Sequence, residues 1–424
     1  MNVVTRVRRV EDTNSRRGVN WAGVWNSSIT SYYLILWTTG TLVVLGLVMV
    51  LSSSSIESLD RSGNAYGIFT KQLLFAVAGA VALAVACRIP LRIYKSLAWI
   101  LFGGSLLLQV LVFTPLNGMS GGVLGNNNWF AIPGTPISLQ PSEFIKVTLS
   151  ILLGTMLSRT LATSKSWVHV LVPTGAASLA ALGLVMAGND LGTALVICLV
   201  IASAFFVAGI PLKWFAGLGA LGAVAVAIFV IPNGNRMGRI MAAYDSTCDA
   251  SDQLCYQVIR GLEGLGSGGL TGVGLGSGSE KWKYLPEAQN DFIFAVIGEE
   301  IGFLGSLLVL LAFVSLGIGM VRVILRHQDP MVKITTAGIA AWILGQALIN
   351  IGVVTRILPV IGVPLPLVSA GGSALVATML ALGVVLSFAR TEPGAQEAFS
   401  ARPSMVRKTI AVISSSSGRS RRSS

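Results

Sequence analysis

The chain has 424 residues, of which 53% are hydrophobic and only 11% are charged. A water-soluble domain of this length needs more charge on its surface, so the composition excludes one. The formal net charge of +12 would suit a nucleic-acid-binding protein. The distribution of the basic residues is instead that of a membrane protein, and we expect no nucleic-acid partner.

Apolar runs of about 20 residues, the length that crosses a bilayer, recur along nearly the whole sequence. They predict an all-α polytopic membrane protein with about ten transmembrane helices, at 32–52, 68–87, 96–114, 141–158, 167–187, 191–209, 212–231, 291–322, 334–354 and 367–389. The first run lacks a small-residue cleavage site near its end, so it is interpreted as a retained span and not as a signal peptide.

Lys and Arg concentrate in the segments that share a side with the N-terminus. This asymmetry predicts that both termini are cytoplasmic, with the ten-span unit covering 32–390. The tails at 1–31 and 391–424 are basic and polar, as in disordered segments, and are expected to contact the anionic inner leaflet of the bilayer or an intracellular partner.

The large outer loop at 232–290 is predicted to contain two short amphipathic helices, with Arg236, Arg239 and Arg260 on their polar sides. A glycine-dense stretch follows, but no strand precedes it and no Gly-Lys-Ser/Thr follows it, so we expect tight turns and no nucleotide cofactor.

The four cysteines divide by environment. Cys248 and Cys255 lie seven residues apart in the outer loop. They form either a disulfide or two free thiols, and the sequence leaves both interpretations open. Cys87 and Cys198 lie in apolar runs and are interpreted as packing residues.

Acidic side chains are rare, yet four of the 18 lie between Trp282 and Gly305, where a loop becomes an apolar helix. A carboxylate near a membrane is costly and is carried mainly for function or for a buried pairing. Asp291 is therefore the first candidate for chemistry. Glu299 and Glu300 belong either to a cavity or to a re-entrant hairpin before a span that begins near Phe303.

The fourth run begins with Gln140, Pro141, Ser142 and Glu143, and Lys146 follows one turn later. One interpretation is an ordinary helix start with a Glu143–Lys146 pair. The other places Lys146 in a polar cavity that holds an anionic substrate. A lysine embedded in the membrane needs a partner in both cases.

Two further residues, Asp190 and Trp129, each have two possible interpretations. Asp190 opens the sixth run, either as a simple helix cap or as a substrate ligand. Trp129 is either an aromatic anchor at the membrane interface or a stacking face for a sugar. The segment 361–376 has two prolines and two adjacent glycines, and such irregular backbone is tolerated at membrane depth only where it lines a cavity or packs on protein.

These residues together resemble the SEDS family of peptidoglycan polymerases, the FtsW, RodA and SpoVE group. The resemblance covers about 32–390 and rests on four blocks in order: LQPSEFIK at 139–146, NDLGTALV at 189–196, GGLTGVGLGSGSEKWKYLPEAQNDFIFAVIGEEIGFLG at 268–305, and Asn350 with RILPVIGVPLPLVSAGGSA at 356–374. The sequence at 281–294 and the charged tails resemble those of the division members of the family more than those of the elongation members.

The resemblance implies a ten-span enzyme of the bacterial cytoplasmic membrane that joins lipid II units into glycan at the outer face. It also implies a class B penicillin-binding protein and other division proteins as partners, and a location at the septum. The family's essential aspartate matches Asp291. The substrate-binding candidates are Trp129, Gln140, Glu143, Lys146, Asp190, Arg260, Arg356 and Ser369. Two departures stand out: Asn128 replaces an Arg before the loop Trp, and Ala370 replaces a Tyr.

In this reading Asp291 has a raised pKa and removes the proton of the acceptor hydroxyl, a role typically worth 10²–10⁴-fold. The competing assignment is that Asp291 holds a divalent cation, Mg or Mn, against the diphosphate. A lipid II transporter also remains open, since ten spans with charged groups and broken helices suit one. The candidates gather at the outer helix ends, which favours an enzyme over a path through the membrane.

Overall fold

The computed structural model describes residues 27, 29–114, 117, 128–131, 138–163, 167–232, 234–244, 253–279, 285–395 and 397. Within these ranges the protein is almost entirely helical. The helices are α1 Thr30–Ser62, α2 Gly67–Ala86, α3 Leu91–Leu111, α4 Pro141–Thr163, α5 Trp167–Ala187, α6 Leu191–Val207, α7 Leu212–Val230, α8 Gly234–Tyr244, α9 Gln253–Ser267, α10 Ile293–Glu300, α11 Gly302–Arg326, α12 Pro330–Val354 and α13 Gly372–Ala389. The tails fall almost wholly outside the described residues.

A long helix lies at each of the ten predicted spans, so the helical membrane fold is confirmed. Seven of them are long and apolar enough to cross a bilayer: α1, α2, α3, α5, α11, α12 and α13. Helix α6 is apolar but shorter, and α4 carries Glu143, Lys146 and several hydroxyl side chains. Among the described residues seven spans are therefore supported by length and composition, while α4, α6 and α7 lie at the positions of the other three and the number of ten stays a prediction.

The centre of the bundle is formed by α12, which packs along α4 and α6, and by α13, which packs along α2. Helix α11 packs against α1 and α12. Because successive long helices alternate in direction, the loops before α4, α6, α11 and α13 meet at one end of the bundle. We call it the Asp291 end.

Several helix boundaries differ from the predicted runs, and two of these differences concern the Asp291 end. The first run was expected to end at residue 52, but α1 continues to Ser62 because its polar extension is bonded to other elements: the Ser52 hydroxyl donates to Glu300 at 2.6 Å, and Gln289 donates to Glu57 at 2.5 Å. The last span was expected from 367, but α13 begins only at Gly372, after a turn.

The eighth run is two helices and not one. Helix α10 is buried along its whole length and stops at Ile301, and α11 begins at Gly302, whose φ of 76° interrupts the helix. The second helix begins one residue before the expected start near Phe303, whereas the re-entrant hairpin stays a prediction.

The glycine-dense stretch packs directly on the junction between α10 and α11. A methyl group at Gly268 would lie 1.9 Å from the carbonyl oxygen of Gly298, and one at Gly272 would lie 2.2 Å from that of Glu300. Gly272 also has a left-handed φ of 79°. The Glu299 carboxylate accepts from the backbone N–H of Ser279 at 2.6 Å. The expected tight turns are confirmed, and Glu299 serves to hold them.

A two-stranded antiparallel ribbon precedes α4. It pairs β1 Phe130–Ala131 with β2 Ser138–Leu139, in the register Phe130–Leu139 and Ala131–Ser138. The ribbon places Trp129 and Gln140 at neighbouring ends of paired strands.

Candidate active site

Asp291 lies in the turn 285–292, before α10 and outside the long apolar helices. The backbone N–H groups of Asn290 and Phe292 both donate to the carbonyl of Glu287, at 3.0 and 3.3 Å, and Glu287 has a left-handed φ of 56°. The Asp291 side chain is half-buried, and a methyl group at Gly362 would lie 3.6 Å from its Oδ2. The turn therefore presents the carboxylate toward the segment 361–371.

Burial raises the pKa of Asp291 to about 7, because desolvation penalises the charged form. The neighbouring carboxylate of Glu287 raises that pKa further, and the guanidinium of Arg239 on α8 lowers it. A carboxylate with a pKa near neutral is suited to general-base catalysis, since it is substantially ionised yet still basic. The raised pKa agrees with the sequence-based expectation.

The irregular segment 361–371 is bonded to the Asp291 turn. The Asn350 carboxamide donates to the carbonyl of Asp291 at 2.7 Å and to that of Val363 at 2.8 Å. The Ala370 N–H donates to the carbonyl of Gln289 at 2.9 Å. These bonds satisfy backbone groups that neither segment satisfies by itself.

Ser369, a predicted substrate ligand, has a structural use in this arrangement. Its hydroxyl donates to the carbonyl of Asn290 at 2.6 Å and accepts from the N–H of Leu365 at 2.8 Å. Both hydrogen-bonding roles of the hydroxyl are thus occupied by backbone, and Ser369 positions the residue next to Asp291.

Glu143 and Lys146 form a buried ion pair at 2.7 Å between side chains that are 3% and 2% exposed. The Lys146 Nζ also donates to the Gln346 carboxamide at 3.0 Å and lies 4.6 Å from the ring centre of Trp342. The Gln346 amide in turn donates to the carbonyl of Pro364 at 2.8 Å. The pair is therefore part of an enclosed network that supports the segment 361–371, and both charged side chains are buried.

Asp190 caps α6 and also organises the ribbon. It accepts from the N–H of Thr193 at 2.9 Å, as a helix cap does. Its Oδ2 additionally accepts from Gln140 and from Asn128, both at 3.0 Å. The half-buried Trp129 follows Asn128 directly. Asp190 thus brings Gln140 and the Asn128–Trp129 segment together. Three of the predicted substrate-binding residues, Gln140, Trp129 and Asp190, therefore lie near one another.

Arg356 and Arg260 are both engaged with the protein. Arg356, at a φ of 60°, donates to the carbonyls of Ala243 and Ala242 at the end of α8, at 2.9 and 3.4 Å. Arg260 pairs with Glu263 at 2.7 Å on the same face of α9. Among the described residues, Arg239 is a cation that lowers the pKa of Asp291; the sequence placed it on a polar helix face but did not assign it to the site.

The predicted Cys248–Cys255 disulfide lies only partly within the described residues. Cys255 is buried on α9 and is disulfide-bonded, whereas position 248 is outside the described ranges. Cys87 and Cys198 carry free thiols; Cys87 is buried, as expected of a packing residue, whereas Cys198 is exposed on the surface of α6.

The described residues contain no group of three or more His, Cys, Asp or Glu side chains that would hold a metal ion. Near Asp291 the protein offers the carboxylates of Asp291 and Glu287. Mg²⁺ is usually held by one or two carboxylates together with substrate phosphates. The residues therefore fit an ion shared with a diphosphate, but not an ion held by the protein alone.

A cavity of about 220 Å³ adjoins the Asp291 turn on the side of α2. It is lined by Ile68, Lys71, Gln72, Phe75, Gln289, Asn290, Ala370, Gly371 and Gly372. It reaches the residue that precedes Asp291 but is not lined by Glu143 or Lys146. The residues of the Asp291 end therefore form two groups. One lines this accessible cavity, and the other is the enclosed network around Glu143 and Lys146.

Comparison with known proteins places the chain in a family. A family model described as a cell cycle protein, for FtsW, RodA and SpoVE, matches residues 33–393. The probable peptidoglycan glycosyltransferase FtsW of Mycobacterium tuberculosis is 37% identical over 380 residues, which are 89% of this chain and 72% of that protein.

Two solved structures share the fold. One, described as showing structural coordination of polymerization and crosslinking by a peptidoglycan synthase complex, has a TM-score of 0.68 and 26% identity over 85% of this chain and 98% of its own. The other is the rod shape determining protein RodA of Thermus thermophilus, with a TM-score of 0.61 and 25% identity over 84% of this chain and 96% of its own. The predicted family is confirmed: the chain belongs to the FtsW, RodA and SpoVE family.

Proposed function

We propose that the chain is a peptidoglycan glycosyltransferase that polymerises lipid II during cell division. The single observation that carries this is Asp291: a carboxylate with a pKa of about 7, held in a fixed turn beside a cavity at one end of a membrane bundle. The family and the 37% identity to a probable FtsW support the reaction class and the division role.

In the proposed reaction Asp291 accepts the proton of the 4-hydroxyl of the acceptor sugar. The hydroxyl oxygen forms a bond to the anomeric carbon of the donor, and the bond from that carbon to the diphosphate breaks. The polyprenyl diphosphate leaves with the electron pair. Its charge needs a cation close by. Arg239 is favoured over Arg260 and Arg356, because those two are bonded to Glu263 and to the end of α8.

The alternative role for Asp291 is a ligand, with the substrate diphosphate, for a divalent cation. Such an ion would supply charge neutralisation at the leaving group. Glu287 is the second carboxylate that this arrangement would use.

The protein is a multi-pass protein of the cytoplasmic membrane. The proposal places both termini in the cytoplasm, the Asp291 end at the outer face and the molecule at the septum. A class B penicillin-binding protein and other division proteins are the proposed partners. The fold similarity to a chain of a peptidoglycan synthase complex that couples polymerisation and crosslinking supports such a partner.

Replacing the central carboxylate tests the reaction. Asp291→Asn is expected to abolish polymerisation of lipid II by the purified full chain, with and without the partner, while thermal melting stays at least as high as in the wild type. The asparagine amide cannot accept the proton, so catalysis is lost. It also carries no charge, so the free-energy cost of a half-buried charge disappears. Asp60→Asn, at an exposed position near the same end, is the matched control and should polymerise normally.

Retained turnover in Asp291→Asn would remove this residue from the mechanism. A parallel arm with a chelator separates the two roles of Asp291. Unchanged wild-type turnover in chelator supports the base, and a loss that added Mg²⁺ or Mn²⁺ reverses supports the shared ion.

The pH dependence follows from the pKa of Asp291, which is about 7. The base must be ionised, so kcat/KM should rise with pH through a midpoint near that value. Glu287→Gln removes a charge that raises this pKa and should move the midpoint to lower pH. Arg239→Gln removes a charge that lowers it and should move the midpoint to higher pH. Profiles from about pH 5 to about pH 9 measure these shifts, and midpoints that do not move would contradict the assignment.

The buried Glu143–Lys146 pair is expected to matter first for folding. Lys146→Met leaves the Glu143 carboxylate buried without its cation, which typically costs 3–5 kcal/mol, so the melting temperature should fall clearly. The double variant Glu143→Gln with Lys146→Met removes both charges and should recover most of the loss. Equal melting of wild type and Lys146→Met would refute the structural role. Turnover of the recovered double variant then reports whether Lys146 also acts on substrate.

A further inference from the structure

The cavity beside α2 is lined by a positively charged side chain, that of Lys71. Lys71 is exposed at this cavity, and its side chain makes no ion pair or hydrogen bond with the described residues. Lys146, Arg260 and Arg356 differ, since each is engaged with a carboxylate or with carbonyl groups. Lys71 is therefore available to an anion from outside the chain.

The walls of this cavity are fixed by hydrogen bonds. Gln72 is 5% exposed and donates to the carbonyl of Ser369 at 3.2 Å. Gln289 is 8% exposed and donates to Glu57. A methyl group at Gly372 would lie 2.3 Å from the ring of Phe75, so that wall is closely packed. A cavity with an unpaired cation and a preformed lining has the properties of a binding site.

The size of the cavity suits a small anionic group. Its volume of about 220 Å³ holds roughly seven waters at about 30 Å³ each. Sites for whole drug-sized ligands are larger, about 300–1,000 Å³. A diphosphate is of the right scale, whereas a complete disaccharide with its peptide is not.

An exposed apolar surface of α2 begins next to Lys71. Leu74 lies one turn further along the helix from Lys71, and Val77 and Val81 continue the row at spacings of three and four residues; these three side chains are 65, 56 and 58% exposed. Helix α2 is also one of the helices long and apolar enough to span a membrane. A ligand with an anionic head at Lys71 would thus have its hydrocarbon chain along this face. That is the chemistry of a lipid-linked phosphate.

The cavity also leads to the catalytic turn, because Gln289 and Asn290 line it and immediately precede Asp291. A polymerase that joins two lipid-linked sugars must accommodate two diphosphates. Arg239 on α8 and Lys71 on α2 supply one cation each, from different helices. We propose, resting on the function above, that Lys71 and its cavity bind the polyprenyl diphosphate of one of the two substrates.

Binding to the purified full chain tests this assignment. In the Asp291→Asn background, which prevents turnover, the affinity for a sugar-free polyprenyl diphosphate is compared in Lys71→Ala, Lys71→Gln and Lys71→Arg. The two neutral variants should bind about tenfold or more weakly, as expected for the loss of a charge-assisted contact. Lys71→Arg should bind nearly as the parent does. Lys213→Ala removes an exposed lysine at the opposite end of the bundle and should change nothing.

Steady-state kinetics give a second readout with Asp291 intact. Lys71→Gln should raise KM for lipid II more than it lowers kcat, with normal melting. Unchanged KM and unchanged diphosphate binding in both neutral variants would overturn the proposal.

A third arm uses vesicles of phosphatidylglycerol without polyprenyl diphosphate. Equal weakening of binding to these vesicles would also overturn the proposal, because the cavity would then hold ordinary phospholipid heads. Failure of the wild type to polymerise lipid II, with Lys71-dependent binding intact, would instead refute the proposed function.

Discussion

Irregular backbone within an apolar bundle is stable only if its N–H and C=O groups find partners, and Asn350 supplies the central ones here. Its carboxamide donates to the carbonyls of Asp291 and Val363, which belong to two segments without regular structure. Ser369 adds a bond to the carbonyl of Asn290. The position of Asp291, the proposed base, thus depends on side chains from other segments that bond to the backbone of its turn.

The charges at the Asp291 end divide into two groups with different roles. Glu143 and Lys146 neutralise each other in an enclosed network, and Asp190 holds the ribbon through Gln140 and Asn128. Lys71 and Arg239 lie at accessible positions near the Asp291 turn. The proposed site for two anionic lipids uses both groups, because the first fixes the geometry and the second supplies positive charge that no side chain of the first group neutralises.

The sequence predicts the helices well because each is an apolar run of membrane length, and it predicts the Asp190 cap from its position before α6. It also singles out Asp291, since a carboxylate there is costly. It does not predict the roles of Ser369 and Arg356. Both have the residue type of a substrate ligand, but their partners are backbone carbonyls far away in the chain. The α10–α11 break is only partly visible in the sequence. Glu299 and Glu300 leave open a new span near Phe303, but apolarity continues across the break, and its position at Gly302 follows from the packing of the glycine-dense stretch.

If buried side-chain bonds to backbone hold the Asp291 carboxylate in place for catalysis, loss of the Asn350 carboxamide must impair the reaction. The decisive experiment is polymerisation of lipid II by Asn350→Ala, with thermal melting in parallel. We expect kcat to fall at least tenfold at temperatures where the variant is still folded, because the Asp291 turn loses the hydrogen bonds through Asn350 that link it to the segment 361–371. Full turnover by a folded Asn350→Ala variant would contradict it.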